Sequence, residues 1–442
     1  MIFTAERMLV DGIIFRNRGL KVDVQGRVQG LTSAESADID FGRQLLIPGA
    51  VNAHSHAFQR LLRGRTQSAG AVIDNFWSWR EVMYHVAGHL DPEGIRSASR
   101  QAFLEMLLSG ITSVGEFHYV HHQPDGALYD DPNATSHAIL AAAHDVGIRI
   151  RLIRTVYLRG DFDAAPAPRQ RRFCDVDLED ACDRIDALGP DVAIAAHSVR
   201  GVPLEAIAVL RERYRGRPLH VHAAEQRHEV EQCLKHTGKR PVELLADVLD
   251  QDVTLIHATH LVPSEIESIT RSKATVCICP STEADLGDGL GPVGELFNAG
   301  VPLALGSDGQ TLLSLTEEAR RLEMHARLQH EKRNVLTRVS GAESARACFD
   351  AMTTSGARAL GLNTGALKSG EHADFVTYDL DDPVFAGCDS DEALLGALIF
   401  SADSRAVRNV WVGGEPVVRA GNHEEAAAVR ADYETLCRHL FA

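Results

Sequence analysis

Two histidines separated by one residue follow an apolar run near the start of the chain. The run LLIPGAVNA, residues 45–53, leads directly into His54, Ser55 and His56. Because side chains two apart in a strand point to the same side, the two imidazoles converge on one point. Neutral imidazoles that converge where a strand gives way to a loop are natural ligands of a divalent metal. The alternative is a pair of loop histidines that bind no metal. The residues at the other strand ends decide between these two interpretations.

Three further apolar runs end in residues that suit the same chemistry. PLHVHAAEQ supplies His220 and His222 on one side of a strand and Glu225 just past its end, LIHATH supplies His257, and ALGSDGQ supplies Asp308. Alone, His257 could be a hydrogen-bonded core histidine and Asp308 a helix N-cap. Their joint occurrence at strand ends favours a metal site.

The predicted ligand set is three imidazoles and one carboxylate: His54, His56, His222 and Asp308. This set suits Zn²⁺ and leaves a coordination position open for water, as a catalytic site requires. We therefore predict one divalent metal per chain, with zinc as the expected ion.

The elements that must position these residues form a regular alternation of strands and helices. The predicted strands are LLIPGAVNA, ITSVGEF, IRIRLIRTVY, DVAIAAHSV, PLHVHAA, VTLIHAT, ATVCICPS and VPLALGSD, separated by amphipathic stretches such as LEAIAVLRERY, RPVELLADVL and SEIESITR. Eight strand–helix units predict an α/β fold, a (β/α)8 TIM barrel, whose active site lies at the C-terminal ends of the strands.

Both ends of the chain have a different, β-rich character. We predict that residues 1–46 and 362–442 form one small β-domain with a C-terminal helix, and that residues 47–361 form the barrel. The segments that indicate it are MIFTAERMLV, GIIFRN, LKVDVQGRVQGL, GALKSGEHADFVTYDL and RAVRNVWVGGEPVVRAG, with EEAAAVRADYETLCRHLFA as the last helix.

Composition limits the classes of partner. The 442 residues are 45% hydrophobic and carry a formal net charge of −16, which argues against binding to nucleic acid or an anionic membrane. No apolar run approaches ~20 residues, and MIFTAERMLVDG lacks the pattern of a secretory signal. The eight cysteines contain no CxxC pair, which favours reduced thiols and a cytoplasmic protein. An anionic substrate would need local arginines.

HxH after strand one, HxxE after strand five, a histidine after strand six and SDG after strand eight resemble the amidohydrolase superfamily. The resemblance covers nearly the whole chain, including LLIPGAVNAHSH and GEHADFV. In that superfamily, strand four can supply a carboxylated lysine that bridges two metals. Strand four of this chain ends in AAHSVR, with His197 at that place, which favours the mononuclear deaminases and leaves open whether His197 is an extra ligand.

That resemblance implies a hydrolytic mechanism. The metal lowers the pKa of its water and creates a hydroxide nucleophile. Asp308 is expected to accept a proton from this water, His257 to orient the nucleophile and stabilise the tetrahedral centre, and Glu225 to carry protons to the departing nitrogen.

Specificity is expected in the loops after the strands. Two arginines stand out: Arg80 in NFWSWR and Arg200 in HSVRG. Other nearby candidates are Gln59 and Arg60 in HAFQR and His118, Tyr119, His121 and His122 in FHYVHH. An arginine at a strand end is commonly a structural ion pair. Two of them in an acidic protein favour a site for a small anion, because arginine binds carboxylates through two parallel hydrogen bonds.

The loop motifs HSHAFQR, FWSWR, EFHYVHH, HSVRG, HAAEQ, CPSTEADLGDG and GSDGQ together resemble the formimidoylglutamate deiminase family of histidine degradation. The resemblance implies hydrolysis of N-formimino-L-glutamate, a small dicarboxylate, to N-formyl-L-glutamate and ammonia, in a protein that we expect to be a homodimer. The residues implied to hold the glutamate portion are Gln59, Arg80, Tyr119, His197 and Arg200. The CPSTEADLGDG loop is expected to shape the pocket, with Glu283 and Asp285 as candidates, and we assign it no catalytic step.

Two alternatives remain open at the level of sequence. The same metal site could deaminate a purine, pterin or triazine ring, which would leave the two arginines unexplained. The second alternative is a barrel that has lost catalysis and serves as a scaffold. The presence of every ligand and proton-transfer residue argues against it.

Overall fold

The computed structural model describes residues 1–67, 76–338 and 343–441. Within these ranges the strands are β1 (Ile2–Thr4), β2 (Arg7–Val10), β3 (Ile13–Phe15), β4 (Arg18–Val22), β5 (Val28–Ser33), β6 (Ile39–Asp40), β7 (Gln44–Pro48), β8 (Ala50–Ser55), β9 (Ile111–His118), β10 (Arg149–Val156), β11 (Ala193–Ser198), β12 (Leu219–Ala223), β13 (Val253–His257), β14 (Thr275–Ile278), β15 (Leu303–Leu305), β16 (Phe375–Asp379), β17 (Val407–Val412) and β18 (Glu415–Val418).

The helices of the same ranges alternate with the central strands. They are α1 (Phe76–Ala87), α2 (Pro92–Leu108), α3 (Ala134–Val146), α4 (Leu178–Leu188), α5 (Leu204–Arg213), α6 (Arg227–Thr237), α7 (Pro241–Leu245), α8 (Pro263–Ser272), α9 (Pro280–Leu286), α10 (Val293–Asn298), α11 (Leu315–His330), α12 (Ser344–Met352), α13 (Thr354–Leu360), α14 (Asp391–Phe400) and α15 (Ala426–Phe441). Short 3-10 helices span Ala34–Ser36, Ala57–Leu62, Pro168–Gln170, Ala246–Val248, Pro383–Phe385 and Ser404–Ala406.

Strands β8 to β15 form one parallel sheet in sequential order. The sheet closes on itself because the backbone N–H of Asp308 donates to the carbonyl of His54 at 3.0 Å and that of His56 donates to the carbonyl of Asp308 at 3.1 Å. The predicted (β/α)8 barrel is confirmed. Small apolar side chains fill its interior: Ala53, Ile256, Cys277, Cys279, Ala304 and Ala359.

The first predicted strand is two strands in the structure. LLIPGAVNA divides at Gly49, whose N–H donates to the carbonyl of Asp374 at 2.9 Å. The part before it, β7, pairs with β16 and β2 outside the barrel, and the part after it, β8, is the first barrel strand. A Cβ at position 49 would lie 2.1 Å from Thr112 Oγ1, so only glycine permits this close crossing.

The two chain ends meet in a small β-sandwich. One sheet has the order β5-β4-β1-β6, and the other has the order β18-β17-β16-β7-β2-β3, which interleaves the start and the end of the chain. Phe3, Phe375 and Trp411 fill the core between the sheets, with ring centroids 4.8–5.6 Å apart. The exact domain limits at 46/47 and 361/362 stay a prediction.

The C-terminal part also contains a helix that the β-rich pattern did not predict. Ser390 caps α14 by accepting a hydrogen bond from Ala393 N at 3.1 Å. The helix packs against α11, and Arg320 of α11 donates to the carbonyl of Ile399 at 3.0 Å. Helix α14 was missed because DEALLGALIF is apolar on all sides and shows no amphipathic period.

Among the helices of residues 1–67, 76–338 and 343–441, none is long and apolar enough to cross a membrane. All eight cysteines lie in those ranges and are free thiols, six of them buried. The prediction of reduced cysteines is consistent with this arrangement.

Candidate active site

Three imidazoles and one carboxylate meet where the first, fifth and eighth barrel strands end. The Nε2 atoms of His54 and His56 lie 3.2 and 3.3 Å from Asp308 Oδ1. His222 Nε2 lies 3.2 Å from His54 Nε2. All four potential ligand atoms fall within 4.8 Å of one another, and all four residues are buried.

Backbone carbonyls fix the orientation of two of these rings. Nδ1 of His56 donates to the carbonyl of Phe117 at 2.9 Å, and Nδ1 of His222 donates to the carbonyl of His197 at 2.9 Å. Each ring therefore carries its proton on Nδ1 and presents an unprotonated Nε2 to the cluster. Burial lowers the pKa of His54 to about 3 and also lowers the pKa values of His56 and His222. Neutral imidazoles and a carboxylate in this arrangement fit a divalent metal ion.

His257 stands beside this cluster, among three carboxylates. Its Nε2 lies 3.6 Å from Asp308 Oδ2 and 3.7 Å from Glu225 Oε1, and its Nδ1 lies 3.2 Å from Glu283 Oε1. Burial lowers the pKa of His257, but the charges of Glu225, Asp308 and Glu283 outweigh it and raise that pKa well above its ordinary value. The structure thus brings the three predicted proton-transfer residues, Glu225, His257 and Asp308, to one point.

Glu225 is held in an acidic environment. Burial raises its pKa to about 7, which suits a group that must both take up and release a proton near neutral pH. Ligand atoms of Glu225, His257 and Asp288 lie within 4.8 Å of one another. Asp288 accepts a hydrogen bond from Gln226 Nε2, and burial raises its pKa to about 9, so it is protonated at neutral pH.

The backbone is strained where the strands present these side chains. Asp308 has φ 43°, His257 φ 68° and Ala224, next to Glu225, φ 54°. A non-glycine residue in this left-handed region costs about 1–3 kcal/mol and persists only where the surroundings impose it. Three of the four strand ends that carry the chemistry are therefore held in an unfavourable conformation.

A buried polar network lies beneath the metal cluster and was not predicted. Asn52 and Gln310 both bond to Ser307, next to Asp308, and Gln310 also donates to Ser55 Oγ at 2.8 Å. Ser55 in turn donates to Glu116, whose pKa burial raises to about 8. The sequence contains a signal for this network, because its polar residues lie next to predicted ligands. Ser55 lies between His54 and His56, and Ser307 and Gln310 lie close to Asp308.

A cavity opens above the cluster. The five residues predicted to bind substrate, Gln59, Arg80, Tyr119, His197 and Arg200, all line it together with Glu225, His257 and Asp308. Aromatic rings of Trp79, Tyr84, Tyr157 and Phe173 complete its walls.

Neighbouring groups support Gln59, the ring of His197 and the backbone of Arg200 in the cavity wall. Gln59 donates to Tyr119 Oη at 3.0 Å. The ring of His197 stacks on Tyr157 with centroids 4.4 Å apart and planes 14° apart. Arg159 donates to the carbonyls of Val199 and Arg200 at 2.7 and 2.9 Å, so the loop that carries Arg200 is fixed at its backbone.

His197 is outside the cluster of ligand atoms that the described residues form around Asp308. It acts on the metal site through its backbone carbonyl, which orients His222. The side chain faces the cavity instead. Its predicted place with the substrate residues therefore agrees with the geometry better than the alternative of an extra ligand.

Several candidates from the loop motifs lie outside the cavity wall. His118 bonds to Thr135, and Nε2 of His121 and of His122 donates to the carbonyls of Thr155 and Cys174. Arg60 forms an ion pair with Glu105. These side chains are buried structural groups.

The CPSTEADLGDG loop shapes the pocket as expected, but through Thr282 and Leu286 and not through the candidates Glu283 and Asp285. Glu283 lies under His257 and accepts a hydrogen bond from Cys279 N at 2.9 Å. Asp285 accepts a hydrogen bond from Gln67 at the rim. Helix α9 turns both carboxylates away from the cavity, and Thr282 and Leu286 face it instead.

The sequence pattern of the amidohydrolase family matches residues 45–417, and this chain belongs to that family. It is 38% identical to the formimidoylglutamate deiminase of Pseudomonas aeruginosa over 98% of both chains. The crystal structure of an amidohydrolase from Brucella melitensis superposes with a TM-score of 0.92 at 32% identity and covers both chains completely. An adenosine deaminase from Xanthomonas campestris with bound zinc has the same fold, with a TM-score of 0.81 at 22% identity over 99% and 98% of the two chains.

Family and relatives make this protein a hydrolase of C–N bonds. This similarity argues against the alternative of a barrel without catalysis.

Proposed function

We propose that the enzyme hydrolyses N-formimino-L-glutamate to N-formyl-L-glutamate and ammonia, a step of histidine degradation. The observation that carries the proposal is the placement of Arg80 and Arg200 in the wall of the same cavity as the metal cluster. The substrate has a formimino group, which is the reacting amidine, and two carboxylates. Similarity to the formimidoylglutamate deiminase of Pseudomonas aeruginosa supports the same substrate.

The two arginines bring positive charge into the cavity of a protein whose net charge is negative. A flexible dicarboxylate needs paired cationic donors to be fixed against its conformational entropy, and guanidinium groups match carboxylates in geometry. We assign the glutamate portion to Arg80 and Arg200, with Gln59, Tyr119 and His197 as further hydrogen-bonding partners.

We propose one zinc ion per chain, held by His54, His56, His222 and Asp308. The zinc bound in the adenosine deaminase of Xanthomonas campestris supports this choice of ion. When bound, such an ion supplies Lewis acidity, which lowers the pKa of water towards neutrality.

The proposed chemistry uses three side chains in sequence. Asp308 accepts a proton from the attacking water, whose oxygen forms a bond to the formimino carbon. His257, 3.6 Å from Asp308 Oδ2, orients the water and stabilises charge at the tetrahedral carbon. Glu225 delivers a proton to the imino nitrogen as the water oxygen adds to the carbon. The proton that Asp308 took from water then passes to the same nitrogen, the C–N bond breaks and ammonia leaves, while the hydroxyl proton returns to Glu225 as the C=O bond forms.

A ring aminohydrolase is the second candidate. The aromatic residues Trp79, Tyr84, Tyr157 and Phe173 favour it, because they could stack against a planar base. A neutral ring would offer no carboxylate for Arg80 and Arg200 to bind. For this reason we rank this candidate second.

Ammonia release by the zinc-loaded enzyme tests the proposal. We expect N-formimino-L-glutamate to yield ammonia and N-formyl-L-glutamate in equal amounts, identified by NMR. A higher kcat/KM with guanine or adenosine would overturn the proposal in favour of the ring aminohydrolase.

We further propose a cytoplasmic homodimer. The free state of all eight cysteines supports a reducing compartment, and the family resemblance supports the dimer. Light scattering that finds a monomer at micromolar concentration would contradict the proposed assembly.

A further inference from the structure

Glu229 is a buried carboxylate next to the site that the proposed mechanism does not use. It is the third residue of α6, and the residue is 8% exposed. Its Oε2 accepts a hydrogen bond from the backbone N–H of Glu225 at 3.0 Å. This side chain thus holds the peptide group between Ala224 and Glu225.

That peptide group belongs to the turn between β12 and α6. Ala224 has φ 54°, a conformation that costs about 1–3 kcal/mol and needs external support. The turn directs Glu225 towards His257, whose Nε2 lies 3.7 Å from Glu225 Oε1. Without an acceptor for the N–H of Glu225, the turn would lose a contact that opposes its strain, and Glu225 would lose its defined position.

The second oxygen of Glu229, Oε1, is buried and accepts no hydrogen bond from the described part of the chain. The backbone N–H of Glu225 is therefore the one hydrogen-bond donor to this carboxylate among the described residues.

We propose that Glu229 is a positioning residue that holds the turn which places Glu225. This inference rests on the proposed function only for the proton transfer by Glu225 and not for the identity of the substrate.

Glutamine and alanine at position 229 test this role. Glu229→Gln keeps an acceptor oxygen for the backbone N–H of Glu225, so kcat should stay within about threefold of the wild type, whereas Glu229→Ala removes the acceptor, so kcat should fall roughly 10- to 100-fold. Glu231→Gln, an exposed position on the same helix, is the control and should leave kcat unchanged.

The outcomes distinguish this inference from the proposed function. The wild-type assay alone decides whether N-formimino-L-glutamate is the substrate. If another amine-releasing substrate is turned over instead, the ratio of kcat between Glu229→Gln and Glu229→Ala on that substrate still tests the positioning role. Equal kcat losses in both variants would overturn the positioning role. A loss of kcat in Glu229→Gln of more than about tenfold, which remains measurable even if Glu229→Ala fails to fold, would overturn it as well.

Discussion

His54 and Asp308 join the first and last strands of the barrel through both backbone and side chain. The N–H of Asp308 donates to the carbonyl of His54 at 3.0 Å, and His54 Nε2 lies 3.2 Å from Asp308 Oδ1. The contact that closes the barrel is therefore the same contact that assembles the proposed metal site. Binding of an ion at this seam should stabilise the fold as well as enable the chemistry.

Metal removal should lower both activity and stability. We expect elemental analysis to find about one equivalent of zinc per chain, and a chelator to abolish ammonia release and to lower the melting temperature. An ion present at 1,000 times its Kd contributes about 4 kcal/mol of stability. Two equivalents that are both required for activity would contradict the single site.

The fifth strand offers a matched pair of variants for the metal site. His222→Ala should lose zinc, because its Nε2 points into the cluster. His220→Asn, two residues earlier, should retain zinc and lose stability, because His220 Nε2 donates to the carbonyl of Ala359 at 2.9 Å. Zinc retained in His222→Ala, measured by elemental analysis, would remove His222 from the ligand set.

The proton-transfer residues should be necessary for turnover without being necessary for folding. Asp308→Asn, His257→Asn and Glu225→Gln should each lower kcat by ~10²–10⁴-fold. Asp285→Asn at the rim should stay near the wild-type rate, because Asp285 does not line the cavity. Near-normal turnover in metal-retaining Glu225→Gln would exclude Glu225 from the proton path.

The ligands and barrel strands could be predicted because each is a local pattern. A strand end fixes where His54 and His56 point, and the parallel order of strands brings His222 and Asp308 to the same rim. Glu229 and Glu116 escaped prediction because their partners are backbone groups or residues distant in sequence. Such a contact produces no periodic pattern in the sequence. It becomes visible only in the folded structure.

Other features could not be predicted because they depend on the direction that a short segment or its side chains take. Glu283 and Asp285 lie two residues apart in a motif that resembles a pocket loop, yet the motif forms helix α9, which turns both away from the cavity. Gly49 divides an apolar run between two sheets because Thr112 approaches it closely. Both features depend on packing partners far along the chain.

A fully buried ion pair supports the substrate end of the barrel. Arg154 and Asp175 are both 0% exposed in their side chains, and Tyr157 N donates to Asp175 Oδ2 at 3.2 Å. Asp175→Asn leaves a buried charge unpaired and should lower the free energy of unfolding by about 3–5 kcal/mol. It should also raise KM, because Tyr157 stacks on His197. A stability change under 1 kcal/mol in denaturant unfolding would contradict this account of the pair.

Glu318 should make stability depend on pH. Burial raises its pKa from 4.5 to about 8, so the folded state favours the protonated form. Its contribution to stability is fully present below pH 4.5 and is lost as the pH rises through about 8. The melting temperature of Glu318→Gln should therefore rise relative to that of the wild type between pH 5 and pH 9, since glutamine can still accept the hydrogen bond from Ser281 N. A constant difference across this range would show that Glu318 is ionised in the folded protein.

The most direct test of the proposed activity compares N-formimino-L-glutamate with N-formimino-L-glutamine, which differs only in the charge of its side chain. Loss of one partner of a buried charge pair costs ~2–5 kcal/mol. The wild-type enzyme should therefore favour the glutamate compound by roughly 30-fold to several thousand-fold in kcat/KM. Arg80→Met or Arg200→Met, whichever arginine binds that carboxylate, should abolish most of this preference. Equal kcat/KM for the two compounds in the wild-type enzyme would contradict the assignment of a dicarboxylate substrate.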